Sequence, residues 1–66
     1  NPATEFLEIT TTAPVQWAAI YNMNGQAVMQ TPIISGKINV ASLPEGMYTI
    51  VAYGDSESFR SRFIKL

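Results

Sequence analysis

Residues 38–53 read Ile-Asn-Val-Ala-Ser-Leu-Pro-Glu-Gly-Met-Tyr-Thr-Ile-Val-Ala-Tyr, and their alternation decides the fold class. Ile38 and Val40 alternate with Asn39 and Ala41; Tyr48, Ile50 and Ala52 alternate with Thr49, Val51 and Tyr53. A period of two over runs this short marks β-strands. Between the runs, Pro44 has no N–H to give a ladder and Gly46 tolerates a positive φ, so the chain is expected to turn there. The two strands and their turn read as a hairpin-like element at the centre of the fold.

The flanking sequence has the same grain. Asn1-Pro2-Ala3-Thr4 is an extended or turning lead-in. Glu5 to Thr12 reads as a strand with Leu7, Ile9 and Thr11 on one face and Phe6, Glu8 and Thr10 on the other; its threonines suit the pleat because they branch at Cβ. Ala13-Pro14 breaks it. Val15 to Asn22 is the next strand, with Val15, Trp17, Ala19 and Tyr21 on one face and Gln16, Ala18, Ile20 and Asn22 on the other. Volume assigns the first face to the core, yet neither looks made for water, as in a central strand covered on both sides or one whose outer face meets another surface. Asn24-Gly25 is a hairpin signal, expected to form a type I′ turn. Gln26 to Thr31 returns, with Val28 as its core residue, and Pro32 ends it. Ser35-Gly36 and Gly54-Asp55-Ser56 are further turns. Ser58 to Lys65 is the last strand, and its parity conflicts: Phe59, Ser61 and Phe63 share one face, while Ile64 falls beside Arg60 and Arg62 on the other. A bulge near Phe63, or an edge position with Ile64 against another surface, would resolve this. The pattern contains no helical stretch, and its turns recur at the spacing of β-sandwiches.

Composition bounds the function. The chain has 66 residues, enough for one domain of marginal stability. Hydrophobic residues make up 47% and charged residues 14%, well below the roughly 25% of ordinary globular domains, as suits a small sheet protein or a module that rests against a partner. The net charge of −1 gives no electrostatic case for nucleic acid. No apolar run approaches the roughly 20 residues of a membrane-spanning helix, and Asn1-Pro2 does not open a signal peptide, so sequence is expected upstream.

Reactive chemistry is sparse. There is no histidine and no cysteine, which removes the common triads, disulfides and most zinc sites. Glu5 and Glu8 lie on opposite strand faces; Glu45, Asp55 and Glu57 sit in turns. Asp55-Ser56-Glu57 is too short and too poor in acids for a calcium loop. Gly25 and Gly46 are isolated turn residues rather than a phosphate loop. No enzyme activity, cofactor or metal site is expected. Arg60, Arg62 and Lys65 gather three of the four basic residues at the C-terminal end, either to protect an edge strand or to dock a partner. Trp17, Tyr21, Tyr48 and Tyr53 are expected mainly in the core, with an exposed sugar-stacking platform as the alternative.

The order of motifs goes further. Asn1-Pro2-Ala3-Thr4, Leu7-Glu8-Ile9, Ala18 to Val28 with Ile20-Tyr21-Asn22 and Gly25, Ile38 to Tyr48 with Leu43, Gly46 and Tyr48, and Phe63-Ile64-Lys65 follow one another across the whole chain. This set resembles the type A C-terminal sorting domain of the type IX (Por) secretion system of Gram-negative bacteria. Ala18 departs from the larger aliphatic residue common there, and Arg62 from the common lysine. The resemblance implies an all-β fold, a small Ig-like β-sandwich of six to seven short antiparallel strands, and a single domain over residues 1–66 at the end of a secreted cargo protein. It implies an address label without catalysis, which takes cargo from the periplasm through the outer-membrane translocon to the cell surface or medium. The partners implied are the outer-membrane secretion machinery and a sortase-like surface protease. It also turns Ala18 and Ile20 to the core and Trp17 and Ala19 outward, against the argument from volume. Translocon recognition is expected at Arg60, Arg62, Phe63, Ile64 and Lys65 and at the Leu43–Tyr48 turn with Gly46 and Tyr48. An exposed terminal lysine makes Lys65 the first choice. Asn24, Gly25, Pro44 and Gly46 are the turn formers. Unpaired strand edges and low charge, apart from the resemblance, allow a strand-mediated homodimer, and the alternative function is an Ig-like or fibronectin-like module that binds carbohydrate or a protein.

Overall fold

The computed structural model describes residues 2–10 and 14–66. Expectations placed on Asn1, Thr11, Thr12 and Ala13 lie outside the described residues. Seven strands form: β1 (Pro2–Ala3), β2 (Phe6–Glu8), β3 (Trp17–Tyr21), β4 (Ala27–Pro32), β5 (Lys37–Asn39), β6 (Gly46–Tyr53) and β7 (Ser58–Lys65). They make a five-stranded sheet in the order β1-β7-β6-β3-β4 and a two-stranded sheet, β2-β5. The fold is all-β and sandwich-like, with the small sheet covering part of the large one. One pairing departs from the antiparallel expectation: β1 runs parallel to β7, with Pro2 beside Ile64 and Ala3 beside Lys65. The Leu66 N–H donates to the Ala3 carbonyl at 2.8 Å and continues this contact.

The core lies between the layers. Leu7, Ile38, Val40 and Leu43 face Ala18, Ile20, Tyr48, Ile50 and Phe63, with Ala3 at one end. Leu7 and Ile9 point inward as their alternation predicts, and Phe6 and Glu8 point out. On β3 the volume argument fails. Ala18 and Ile20 fill the core, while Trp17 stands 41% exposed on the other face. Small Ala18 fits there because Ile20, Ile50 and Phe63 supply the volume. Ala19 points outward but is buried all the same.

Three local expectations are corrected. Val28 is not a core residue. Ile20 pairs with Met29 and Tyr21 with Ala27, so Val28 is the extra residue of a β-bulge and Met29 takes the inward place. The turn at Asn24-Gly25 is not type I′. Gly25 has φ 81°, Asn24 does not share the positive φ, and the Gly25 N–H donates to the Asn22 carbonyl at 3.0 Å. This is a three-residue loop, a type I turn closed by a left-handed glycine. Asn22 holds it, its Oδ1 accepting from the N–H groups of Asn24 (2.9 Å) and Gln26 (3.0 Å). The type I′ geometry appears instead at Ser35-Gly36, both with positive φ, where Ile34 and Lys37 exchange two main-chain hydrogen bonds.

The third correction concerns the opening stretch. β5 and β6 are not a hairpin: β5 pairs with β2 and β6 lies between β3 and β7. Residues 40–45 therefore carry the chain from one layer to the other. Leu43 is buried in the passage, and its N–H donates to the Val40 carbonyl at 3.0 Å. The Tyr48 hydroxyl donates to the Pro44 carbonyl at 2.7 Å and ties the crossover to β6.

Candidate functional site

β6 and β7 pair without interruption from Gly46–Lys65 to Tyr53–Ser58. The bulge expected near Phe63 is absent, and the parity conflict is real: alternate residues of β7 serve two different surfaces. Inward, Phe63 is 1% exposed and stacks on Tyr48, with centroids 5.6 Å apart and planes at 25°. Lys65 shares that side. It is 7% exposed rather than free, and its Nζ donates to the Leu66 main-chain oxygen at 3.0 Å. A lysine on the core side of a strand covers its stem and keeps its ammonium hydrogen-bonded at the rim. The expectation of an exposed terminal lysine is overturned, and its physical reason is parity with Phe63.

Outward, Arg60, Arg62 and Ile64 line up opposite Val51, Thr49 and Met47. Ile64 and Met47 are 42% and 40% exposed and form an apolar pair on a face that no second sheet of the described residues covers. The expected recognition set is thus split. Arg60, Arg62 and Ile64 come together on the outer face; Phe63, Tyr48 and Lys65 turn the other way; Gly46 stands at the head of β6 opposite Lys65. Gly46 has φ 151°, a backbone region essentially reserved for glycine, which lets the crossover enter β6 directly. Pro44 supplies the carbonyl that Tyr48 grips.

The outer face also holds residues that the sequence pattern sent to the core. Trp17 and Tyr53 are direct partners across β3 and β6, and their rings stack with centroids 4.3 Å apart and planes at 17°. Of the four large aromatics expected inside, only Tyr48 belongs to the core cluster. Next to the stack, Tyr21, Asn22, Met23, Gly25, Thr49, Val51, Arg60 and Arg62 line a shallow hollow. The Tyr53 phenol is pushed above its ordinary value, first by desolvation and then by its hydrogen bond and charge interaction with Tyr21, against an opposing pull from Arg60. Ala19 and Val51 lie between these groups and are buried on a face with no opposing sheet among the described residues. The signal for this was already in the register: apolar residues at both parities of β3 require cover on both sides.

Among the described residues, no group of three His, Cys, Asp or Glu side chains could hold a metal ion. No helix of the described residues is long and apolar enough to cross a membrane. The outer face carries two exposed arginines, a stacked aromatic pair and an apolar pair on one continuous sheet surface.

No curated protein and no solved structure matches the chain. The model of the family described as secretion system C-terminal sorting domain matches all of it, residues 1–66. That is a family of sorting signals and not of enzymes. The chain belongs to this C-terminal sorting domain family of type IX secretion, and it is a signal that engages the secretion machinery and directs protein to the cell surface or the extracellular space.

Proposed function

We propose that the machinery recognises the domain through the outer face of β7, with Arg60, Arg62 and Ile64 as the contact residues. The observation that carries this reading is the split of β7. Its odd-numbered side chains Phe63 and Lys65 are covered, while Arg60, Arg62 and Ile64 are exposed in one row. Phe63, Tyr48, Gly46 and Lys65 then serve recognition by holding that row in place. The domain is a single unit over residues 1–66, carried at the end of a cargo protein that reaches the translocon from the periplasm of a Gram-negative cell. It has no catalysis and takes no cofactor. A sortase-like surface protease removes it after passage.

A strand-mediated homodimer meets a charge penalty at β7 that β4 does not impose. Two β7 edges paired antiparallel would oppose arginine to arginine, whereas β4 (Ala27–Pro32) carries no charge.

The test is delivery of a periplasmic reporter fused to residues 1–66 in a strain with an active type IX system. The intact fusion reaches the surface or the medium, and the double variant R60A/R62A remains in the periplasm while folding normally. Equal delivery of the variant overturns this surface, and retention of the intact fusion overturns the assignment of the signal to these 66 residues.

A further inference from the structure

Strand β7 has one side still open. Its odd-numbered residues exchange main-chain hydrogen bonds with β6, as the Gly54 N–H to Glu57 carbonyl contact (2.8 Å) at the start of the ladder fixes. Its even-numbered residues point their N–H and C=O groups the other way, as the Leu66 N–H to Ala3 carbonyl contact shows. Among the described residues, β1 occupies that side beside Ile64 and Lys65 alone. Among the described residues, nothing pairs with the outward main-chain groups of Arg60 and Arg62.

The opposite edge of the same sheet is blunted. On β4, Pro32 has no N–H, and the bulge at Val28 breaks the regular spacing. The β7 edge has neither protection. It is straight over its full length, and it already holds one strand, β1, in parallel at its far end. What it carries instead is positive charge. The Arg60 and Arg62 side chains are exposed on the outer face directly above the open main-chain groups, and neither takes part in a side-chain hydrogen bond among the described residues.

We propose that this edge is a β-augmentation site for an extended, acidic segment of a protein partner. The segment adds a strand beside Ser58–Phe63 and continues the line that β1 begins. Its main chain pairs with Arg60 and Arg62, and carboxylates at alternate positions meet the two guanidinium groups above. Main-chain pairing gives the affinity and charged partners at a spacing of two give the selectivity. A second copy of this chain is the poorer occupant, since its own β7 brings like charges opposite. The inference rests on β7 as the recognised strand and names the chemistry that reads it.

The experiment uses the 15N-labelled 66-residue chain and a capped seven-residue peptide of alternating glutamate and valine. In the free chain, the Arg60 and Arg62 amides exchange quickly while those of Ser61 and Phe63 are protected. Saturating peptide slows the two arginine amides by at least about tenfold, as new ladder bonds require. A peptide with lysine in place of glutamate, one with alternate peptide nitrogens methylated, and the variant R60E/R62E each weaken binding by about tenfold or more. Slow exchange of Arg60 and Arg62 in the free chain overturns the open edge, whether the cover is a second copy or the chain's own first residues. Equal binding of the lysine peptide, or shifts confined to Tyr21, Thr49 and Val51, overturns the acidic strand. Absence of binding together with lost delivery of the R60A/R62A fusion overturns the augmentation while the recognised surface stands. Binding with normal delivery of that fusion does the reverse.

Discussion

The two faces of the five-stranded sheet are made from the same strands and do opposite things. The inner face carries Ala18, Ile20, Tyr48, Ile50 and Phe63 against a second layer. The outer face carries Trp17, Tyr21, Tyr53, Arg60, Arg62, Met47 and Ile64, and no second sheet of the described residues lies against it. Inside, small and large side chains fit one another, so each is held by its neighbours. Outside, Ala19 and Val51 lie in register between the Trp17–Tyr53 stack and Tyr21. The hydrophobicity of this domain is therefore not all core; a good part of it is placed where a partner can reach it.

Substitutions should separate the faces by size of effect. The largest is F63A, which empties the inner face where Tyr48 stacks. A loss of about 3–5 kcal/mol is expected for a buried phenylalanine. In a domain of this size that leaves the chain largely unfolded, as urea titration followed by Trp17 fluorescence will show. G46A comes next: a Cβ at φ 151° meets ample space, with Tyr48 Cε2 3.9 Å away, so the cost is backbone strain of about 1–3 kcal/mol. Y48F keeps the ring and removes the hydroxyl that grips Pro44, for a loss of about 1 kcal/mol. The double variant R60A/R62A should change stability by no more than about 0.5 kcal/mol in the same titration. A large loss there would mean that the outer face supports the fold and would erase the distinction between the faces.

The smallest effect is alkaline. The folded domain holds Tyr53 above the pKa of the unfolded chain, so the unfolded state ionises first. The Tyr53 contribution is complete below about pH 10 and is lost as pH climbs through the folded value. Y53F should lose part of that decline, measured as the fall in melting temperature between pH 9 and about pH 11. An identical alkaline decline in the variant would assign it to other groups.

Much of this architecture is legible in the sequence. Alternation located six of the seven strands, and the ordered motifs gave the family and the inward turn of Ala18 and Ile20. The misreadings share one cause: a local pattern reports parity along a strand but not what the strand packs against. Trp17 is large, yet Ile20 and Phe63 already fill the space inside. Val28 looked inward until an extra residue in β4 shifted the phase. Asn24-Gly25 and Ser35-Gly36 are both plausible type I′ turns, and the Asn22 side chain decided between them by holding the first in another geometry. Residues 38–53 contain two strands and a turn as expected. Whether such a turn folds a strand back on its neighbour or delivers it to the opposite layer depends on Leu43 and the Tyr48–Pro44 bond, which are tertiary facts. For the site, charge and position singled out β7, but only the register shows that Lys65 is covered and that Arg60 and Arg62 stand free.

The short parallel contact between β1 and β7 has a mechanical meaning. A pull on the chain at Pro2 and Leu66 in opposite directions draws these two strands past each other along their length. The bonds between Pro2–Ala3 and Ile64–Leu66 then share the load in shear and do not open one at a time. Tension arriving through the first residues of the domain meets its strongest loading geometry before it reaches the core.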